Sequence, residues 1–161
     1  MSHRTLVSRA LDDEHRANLA LLDRVEQAFG HTRDRGSDEL RMLAGALVRQ
    51  VEQDIGRHFE FEERELFPRM ADAGDGDMAA LLAEEHASIR AVAEELLPLA
   101  RAAEEGTLDA AGWDALARGA LEIAERQVAH IQKESMALLP LLDDLLDEDD
   151  DRELAFAYAE Q

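Results

Sequence analysis

The 161-residue chain contains no cysteine, which excludes disulfides, thiolate metal sites and thiol nucleophiles. Aromatic residues make up 4% of it and prolines number 3. Cations are scarce: Lys and Arg total 17 against 37 Asp and Glu, for a formal net charge of −20. A field of that sign repels phosphate backbones and anionic lipid surfaces, so neither a nucleic-acid partner nor a membrane partner is expected. No apolar run approaches the ~20 residues that span a bilayer. The N-terminal MSHRTLVSRALDDEHR lacks the apolar core of a signal peptide, so the expected compartment is the cytoplasm. What remains is 46% hydrophobic and rich in Ala, Leu, Glu and Arg, within 17.9 kDa. That is the size of one domain and the composition of an all-α protein.

Apolar periodicity predicts four long helices. Leu6, Leu11, Leu19, Leu22 and Val25 mark the first, about residues 2–29. A polar loop between Gly30 and Gly36 follows. Ser37 caps the second helix, which carries Leu40, Leu43, Leu47, Val51, Ile55, Phe59 and Leu66 to about Met70, and Pro68 is expected to kink or end it. The third helix spans about 77–105, bent at Pro98, and Asp109 caps a fourth from about 110 to 142. Short loops between four amphipathic helices predict an up-down-up-down four-helix bundle over residues 1–145. Residues 146–161 form an acidic C-terminal extension, with one short helix near Leu154, Phe156 and Tyr158. The acidic run from Asp143 to Asp151 reads as a solvated connector.

The chain repeats itself in its chemistry-bearing residues. Glu14-His15 in the first helix resembles Glu85-His86 in the third. HFEFEERELFP in the second resembles HIQKESMALLP in the fourth. Both of these run His-x-x-x-Glu, with a proline ten positions after the histidine (His58 to Pro68, His130 to Pro140). His15 and His58 are 43 residues apart, and His86 and His130 are 44 apart. His3 and His31 fall outside the scheme. Residues i and i+4 share a helix face, and the apolar neighbours of each group turn that face inward. His15, His58, Glu62, His86, His130 and Glu134 are therefore expected inside the bundle.

Six buried polar groups need partners, since an unpaired one costs about 1–3 kcal/mol. Two independent His–Glu pairs would satisfy part of the set. A metal centre satisfies all six groups at once. Six ligands are too many for one zinc ion, which usually takes about four. They suit two ions, each held by two histidines, with the two carboxylates bridging. Imidazole with carboxylate points to iron first, then manganese or zinc. Ferritin-like di-iron bundles, with a glutamate from each of two helices and Glu-x-x-His from the others, are richer in carboxylate. The histidine excess here favours binding of a small ligand.

On this motif, with the EEREL-F-P stretch after His58, the chain resembles the hemerythrin-like proteins of the HHE cation-binding group over about residues 2–142. The resemblance implies a four-helix bundle with two non-haem iron ions. It assigns His15 and His58 to one iron and His86 and His130 to the other. Glu62 and Glu134 would bridge them, together with an oxo or hydroxo group. It implies no other cofactor, and catalytic residues are left unassigned.

The sequence departs from the oxygen-carrying members of that family. Their further histidine, one turn after the third-helix histidine, is Arg90 here. Their last carboxylate is an aspartate five residues after its histidine, whereas Glu134 lies four after His130. Four imidazoles instead of five leave a position open for oxygen, nitric oxide or peroxide. The expected role is a sensing, storage or detoxifying protein for such a ligand, and the alternative is a catalase-like or iron-repair redox enzyme on the same centre. Oligomeric state is not readable. Glu14, Glu63 and Glu85 read as solvated or as acids behind the ligands, and one of them could supply an extra ligand if a helix rotates locally. Gln127 and Asn18 are candidate hydrogen-bond partners one turn from His130 and His15. Arg90 either snorkels outward or holds an anion near the open position.

Overall fold

Ser37 shows how local chemistry starts these helices. Its hydroxyl accepts from the Leu40 amide at 3.2 Å, and Asp38 and Glu39 put negative charge on the first turn of α2 (Asp38–Gln53). The computed structural model describes residues 3–31 and 36–160 and has no strand among them. The first helix, α1, runs Leu6–His31. Ser2 and residues 32–35 of the expected first loop lie outside the described residues. Beyond α2 the chain continues into α3 (Phe67–Asp72), and then α4 covers Gly76–Glu105. Pro98 does not interrupt α4, which ends at Gly106. There φ is +79°, which glycine adopts without strain, and Thr107 N–H closes the end on the Ala102 carbonyl at 2.9 Å. Asp109 caps α5 (Ala110–Lys133) by accepting from Gly112 N–H at 2.7 Å; α6 (Leu139–Leu145) and α7 (Glu148–Ala159) complete the chain.

The α2–α3 and α5–α6 joins are not ordinary helix. Residues Asp54–Phe59, Glu62–Leu66 and Glu134–Leu138 are wound as π-helix. The last two close five residues back, from Phe67 N–H to the Glu62 carbonyl and from Leu139 N–H to the Glu134 carbonyl. Pro68 and Pro140 come next, in the first turn of α3 and α6, directly after the widened turns. Pro68 does not end the helix: the widened turn precedes it and the helical winding runs on to Asp72. Such widenings gather at functional sites, and these hold His58, Glu62 and Glu134.

Two apolar clusters fill the interior. One includes Leu22, Val25, Phe29, Leu43, Leu47, Ile89, Leu96, Trp113 and Ile123. The other includes Val7, Leu11, Phe61, Leu66, Met70, Leu82, Leu138, Leu142, Leu154 and Tyr158. Each of α1, α4 and α5–α6 crosses from one cluster to the other at its histidine, so the polar layer lies between two dry ones.

The acidic tail is not simply solvated. α1 has no acidic residue in its first turn, and the tail supplies the charge. Asp143 accepts from Thr5 N–H and its hydroxyl at 3.0 and 2.9 Å. Asp151, itself buried, accepts from Leu6 N–H at 2.8 Å and Val7 N–H at 3.0 Å. α7 packs along α1, and the Arg57 guanidinium donates to the Tyr158 carbonyl at 3.0 Å.

Candidate metal centre

His15 projects from the middle of α1, His86 from α4 and His130 from the last turn of α5. His58, Glu62 and Glu134 come from the π-wound turns. All six are buried, none more than 2% exposed. The structure thus brings together every residue singled out by the repeat.

The four imidazoles share one orientation, each turning Nε2 toward the two carboxylates. Glu134 Oε1 lies 3.0 Å from His15 Nε2 and 3.5 Å from His58 Nε2, while its Oε2 lies 3.3 Å from His130 Nε2 and 3.9 Å from His86 Nε2. Glu62 divides itself the same way, Oε2 at 3.0 Å from His58 Nε2 and Oε1 at 3.1 Å from His86 Nε2. Each carboxylate therefore offers one oxygen to the His15–His58 pair and the other to the His86–His130 pair. The donors form two adjoining groups of four, and both groups contain Glu62 and Glu134.

Two observations fit these donors to metal. Glu62 Oε1 and Glu134 Oε2 are buried without a hydrogen bond, although imidazole nitrogens stand close by. His86 and His130 also aim Nε2 at Nε2 across 3.1 Å. With metal–ligand bonds of about 2.0–2.1 Å, neighbouring donors on one ion lie about 3.0–3.4 Å apart, the range of most of these separations.

The outer nitrogens are held too. His86 Nδ1 meets Glu63 at 2.8 Å and His130 Nδ1 meets Glu85 at 2.9 Å, which fixes each ring and leaves Nε2 free to coordinate. Arg90 grips Glu63 at 2.8 Å, and Lys133 pairs with Glu85. The repeat-related partners are weaker: His15 Nδ1 meets the Ser135 hydroxyl at 3.3 Å, and His58 Nδ1 stands 3.7 Å from Glu14. Glu63 and Glu85, despite burial, are held below the usual carboxylate range, Glu63 by Arg90 and His86, Glu85 by Lys133 and His130.

Without metal, the neighbouring carboxylates raise three of the four imidazoles, those of His58, His86 and His130. Burial works against charging the rings, but the carboxylates prevail. Glu62, Glu134 and Glu14 hold His58 well above the usual imidazole range. His86 is raised to about 9 by Glu134 and Glu62, and His130 is raised by Glu134. Glu134 is held well below the carboxylate range, against burial, by Glu62 and by the His130 and His15 imidazoles. A divalent ion would replace these protons, so uptake is coupled to proton release.

Arg90 settles on neither sequence alternative. Its guanidinium pairs with Glu63 and lies over the Phe59 ring, 5.6 Å from the centroid. Phe59 in turn stacks on His86 at 3.8 Å with a 3° interplanar angle. Gln127 and Asn18 are buried, but they do not bond His130 and His15. Asn18 donates to Asp54 Oδ1 at 2.9 Å, and Gln50 donates to Asp54 Oδ2 at 2.9 Å and to Gln127 at 2.7 Å. Asp54, raised to about 6 by burial, was not foreseen. Its signal was present: Asp54 and Gln50 lie four and eight residues before His58, on the inward stripe. Tyr158, edge-on to His58 at 6.2 Å, carried no such signal.

Residues 6–142 match the family described as Hemerythrin, the hemerythrin HHE cation binding domain. No individual curated protein matches the chain.

Proposed function

Because the chain belongs to the hemerythrin HHE cation-binding family, we propose that it is an up-down-up-down bundle holding two non-haem iron ions that bind oxygen, nitric oxide or hydrogen peroxide. His15 and His58 would hold one ion and His86 and His130 the other, with Glu62 and Glu134 shared between them. The observation that supports this most is the division of both carboxylates, one oxygen toward each histidine pair.

A pair of iron ions supplies a redox-active Lewis acid with coordination positions for a small ligand. The residues do the rest. Four imidazoles and two shared carboxylates give each ion about four protein donors, fewer than an octahedral shell of six. Glu63 and Glu85 hold two of the imidazoles through Nδ1 and keep their inner nitrogens aimed. Apolar layers on both sides exclude bulk water, which strengthens every charge interaction between them.

A catalase-like or iron-repair redox reaction on the same centre is the second reading. It is favoured by the guanidinium of Arg90 being engaged with Glu63, so that no fifth nitrogen closes the shell. Protein purified in air and loaded with iron separates the readings. Difference spectra are recorded with azide, nitric oxide and hydrogen peroxide, and released oxygen is measured. Reversible spectral changes without oxygen release support a binding role, and sustained release supports the enzyme. No spectral change with any of the three contradicts both.

A further inference from the structure

The two halves of the repeat differ behind their histidines, on the face turned away from the centre. His130 Nδ1 meets Glu85 at 2.9 Å, and Lys133 pairs with Glu85. In the other half Glu14 takes the place of Glu85, Phe61 stands where Lys133 does, and Asp54 stands where Arg126 does. Two basic residues are thus replaced by a ring and a further acid. Among the described residues, no Lys or Arg pairs with Glu14 or Asp54.

These acids surround a nitrogen that has no partner. His58 Nδ1 is buried without a hydrogen bond, 3.7 Å from Glu14, whereas the outer nitrogens of His15, His86 and His130 are all bonded. The donor atoms of Glu14, Asp54 and His58 lie within 4.8 Å of one another. Asp54 is buried and held by Asn18 and Gln50, one amide on each oxygen, which leaves each oxygen a second lone pair. Glu14 is the member that reaches solvent, with 18% of its side chain exposed.

We propose that Glu14, Asp54 and His58 Nδ1 form an outer cation site, where a divalent ion from solvent lands before it passes to the buried centre. This rests on the two-metal reading above. Two carboxylates and an imidazole nitrogen are donors that ferrous iron accepts. Nδ1 and Glu14 stand farther apart than the ~3.0–3.4 Å of neighbouring donors on one ion, so the ion is held loosely and waters complete its shell. Nor can one ring serve both sites, since a neutral imidazole has a single free lone pair. An ion outside takes Nδ1 and leaves the proton on Nε2, which faces Glu62 at 3.0 Å. An ion inside takes Nε2 and leaves the proton on Nδ1, which faces Glu14. Filling the centre therefore empties the outer site, which is the behaviour of a transit site.

The test uses the metal-free full chain, its Glu14→Gln and Asp54→Asn variants, and Asp13→Asn, an exposed acid beside Glu14, as the control for charge. Each is mixed anaerobically with ferrous iron, and the iron still free is trapped at intervals by a chromogenic chelator. Loaded protein is then challenged with excess chelator and its release of iron is followed. Glu14→Gln and Asp54→Asn are expected to reach the parent's metal content, but to take iron up and give it up at least about tenfold more slowly. Both rates fall because a site on the path lowers the barrier in both directions. Asp13→Asn should stay within about twofold of the parent, since a lone exposed charge is screened by salt. If Asp54→Asn fails to fold, Glu14→Gln carries the test alone. A merely structural role gives the opposite pairing, slower uptake with faster release, and that result overturns the proposal. So do parental rates in both variants, the result expected of an ordered water between the three residues. Either outcome leaves the two-metal reading standing, whereas a parent that takes up no iron overturns that reading as well.

Discussion

Asp151→Ala removes a buried carboxylate that accepts two hydrogen bonds from the first turn of α1, Leu6 N–H at 2.8 Å and Val7 N–H at 3.0 Å. These donors have no intrahelical acceptor, and α1 brings no acid of its own. Val7 is fully buried, so its amide cannot turn to water. An unsatisfied buried donor costs about 1–3 kcal/mol, and loss of negative charge at a helix N-terminus adds about 0.3–1 kcal/mol. The sum is about 1–4 kcal/mol, which for a domain of this size lowers the melting temperature by roughly 3–16 °C. Differential scanning calorimetry reads it directly. Asp151→Asn keeps one acceptor and should fall between the variant and the parent. The change should also loosen α7 and with it Tyr158, so a chelator should strip metal faster from Asp151→Ala. A melting temperature within about 2 °C of the parent would refute the claim that this residue ties the tail to α1.

Glu62→Ala and Glu134→Ala should each lose both ions, because each carboxylate faces both histidine pairs, while His3→Ala and His31→Ala retain them; equal metal content in the four variants, by elemental analysis, would contradict the ligand assignment. Arg90→His should leave the absorption spectrum of the loaded protein unchanged, since position 90 addresses Glu63 and Phe59, and a spectrum showing a further imidazole on the metal would contradict that placement. Asp143 is held below its usual range, against burial, by Thr5 and Arg4. Its contribution is thus present above the unfolded value of about 3.9 and lost as pH falls through the lower folded value. Melting curves of Asp143→Asn and the parent should differ at pH 7 and converge in strong acid, and a difference that persists there would be evidence against the charged contact.

The centre was legible because its six residues lie on helix stripes whose apolar neighbours turn them inward, and because the arrangement occurs twice. Burial and convergence then follow from periodicity alone. The π-wound turns were not legible, since a π-turn differs from an α-turn by one residue of hydrogen-bond register and leaves the side-chain pattern nearly intact. The prolines at 68 and 140 marked the places but not the remedy. Asp54 illustrates a different blindness. A polar residue on an inward stripe gives no sign of its partners, and those are Asn18 from α1 and Gln50 from its own helix, beside Gln127 from α5. Asp143 and Asp151 looked like solvated charge because their acceptor role exists only once the tail lies against α1, about 140 residues away in sequence.

The central claim is that two ions share Glu62 and Glu134. Its most direct test is a titration of metal-free protein with ferrous iron under anaerobic conditions, followed by elemental analysis of the protein after gel filtration. Two irons per chain, with a breakpoint at two equivalents, is the predicted result. One metal per chain, or none retained, would contradict it.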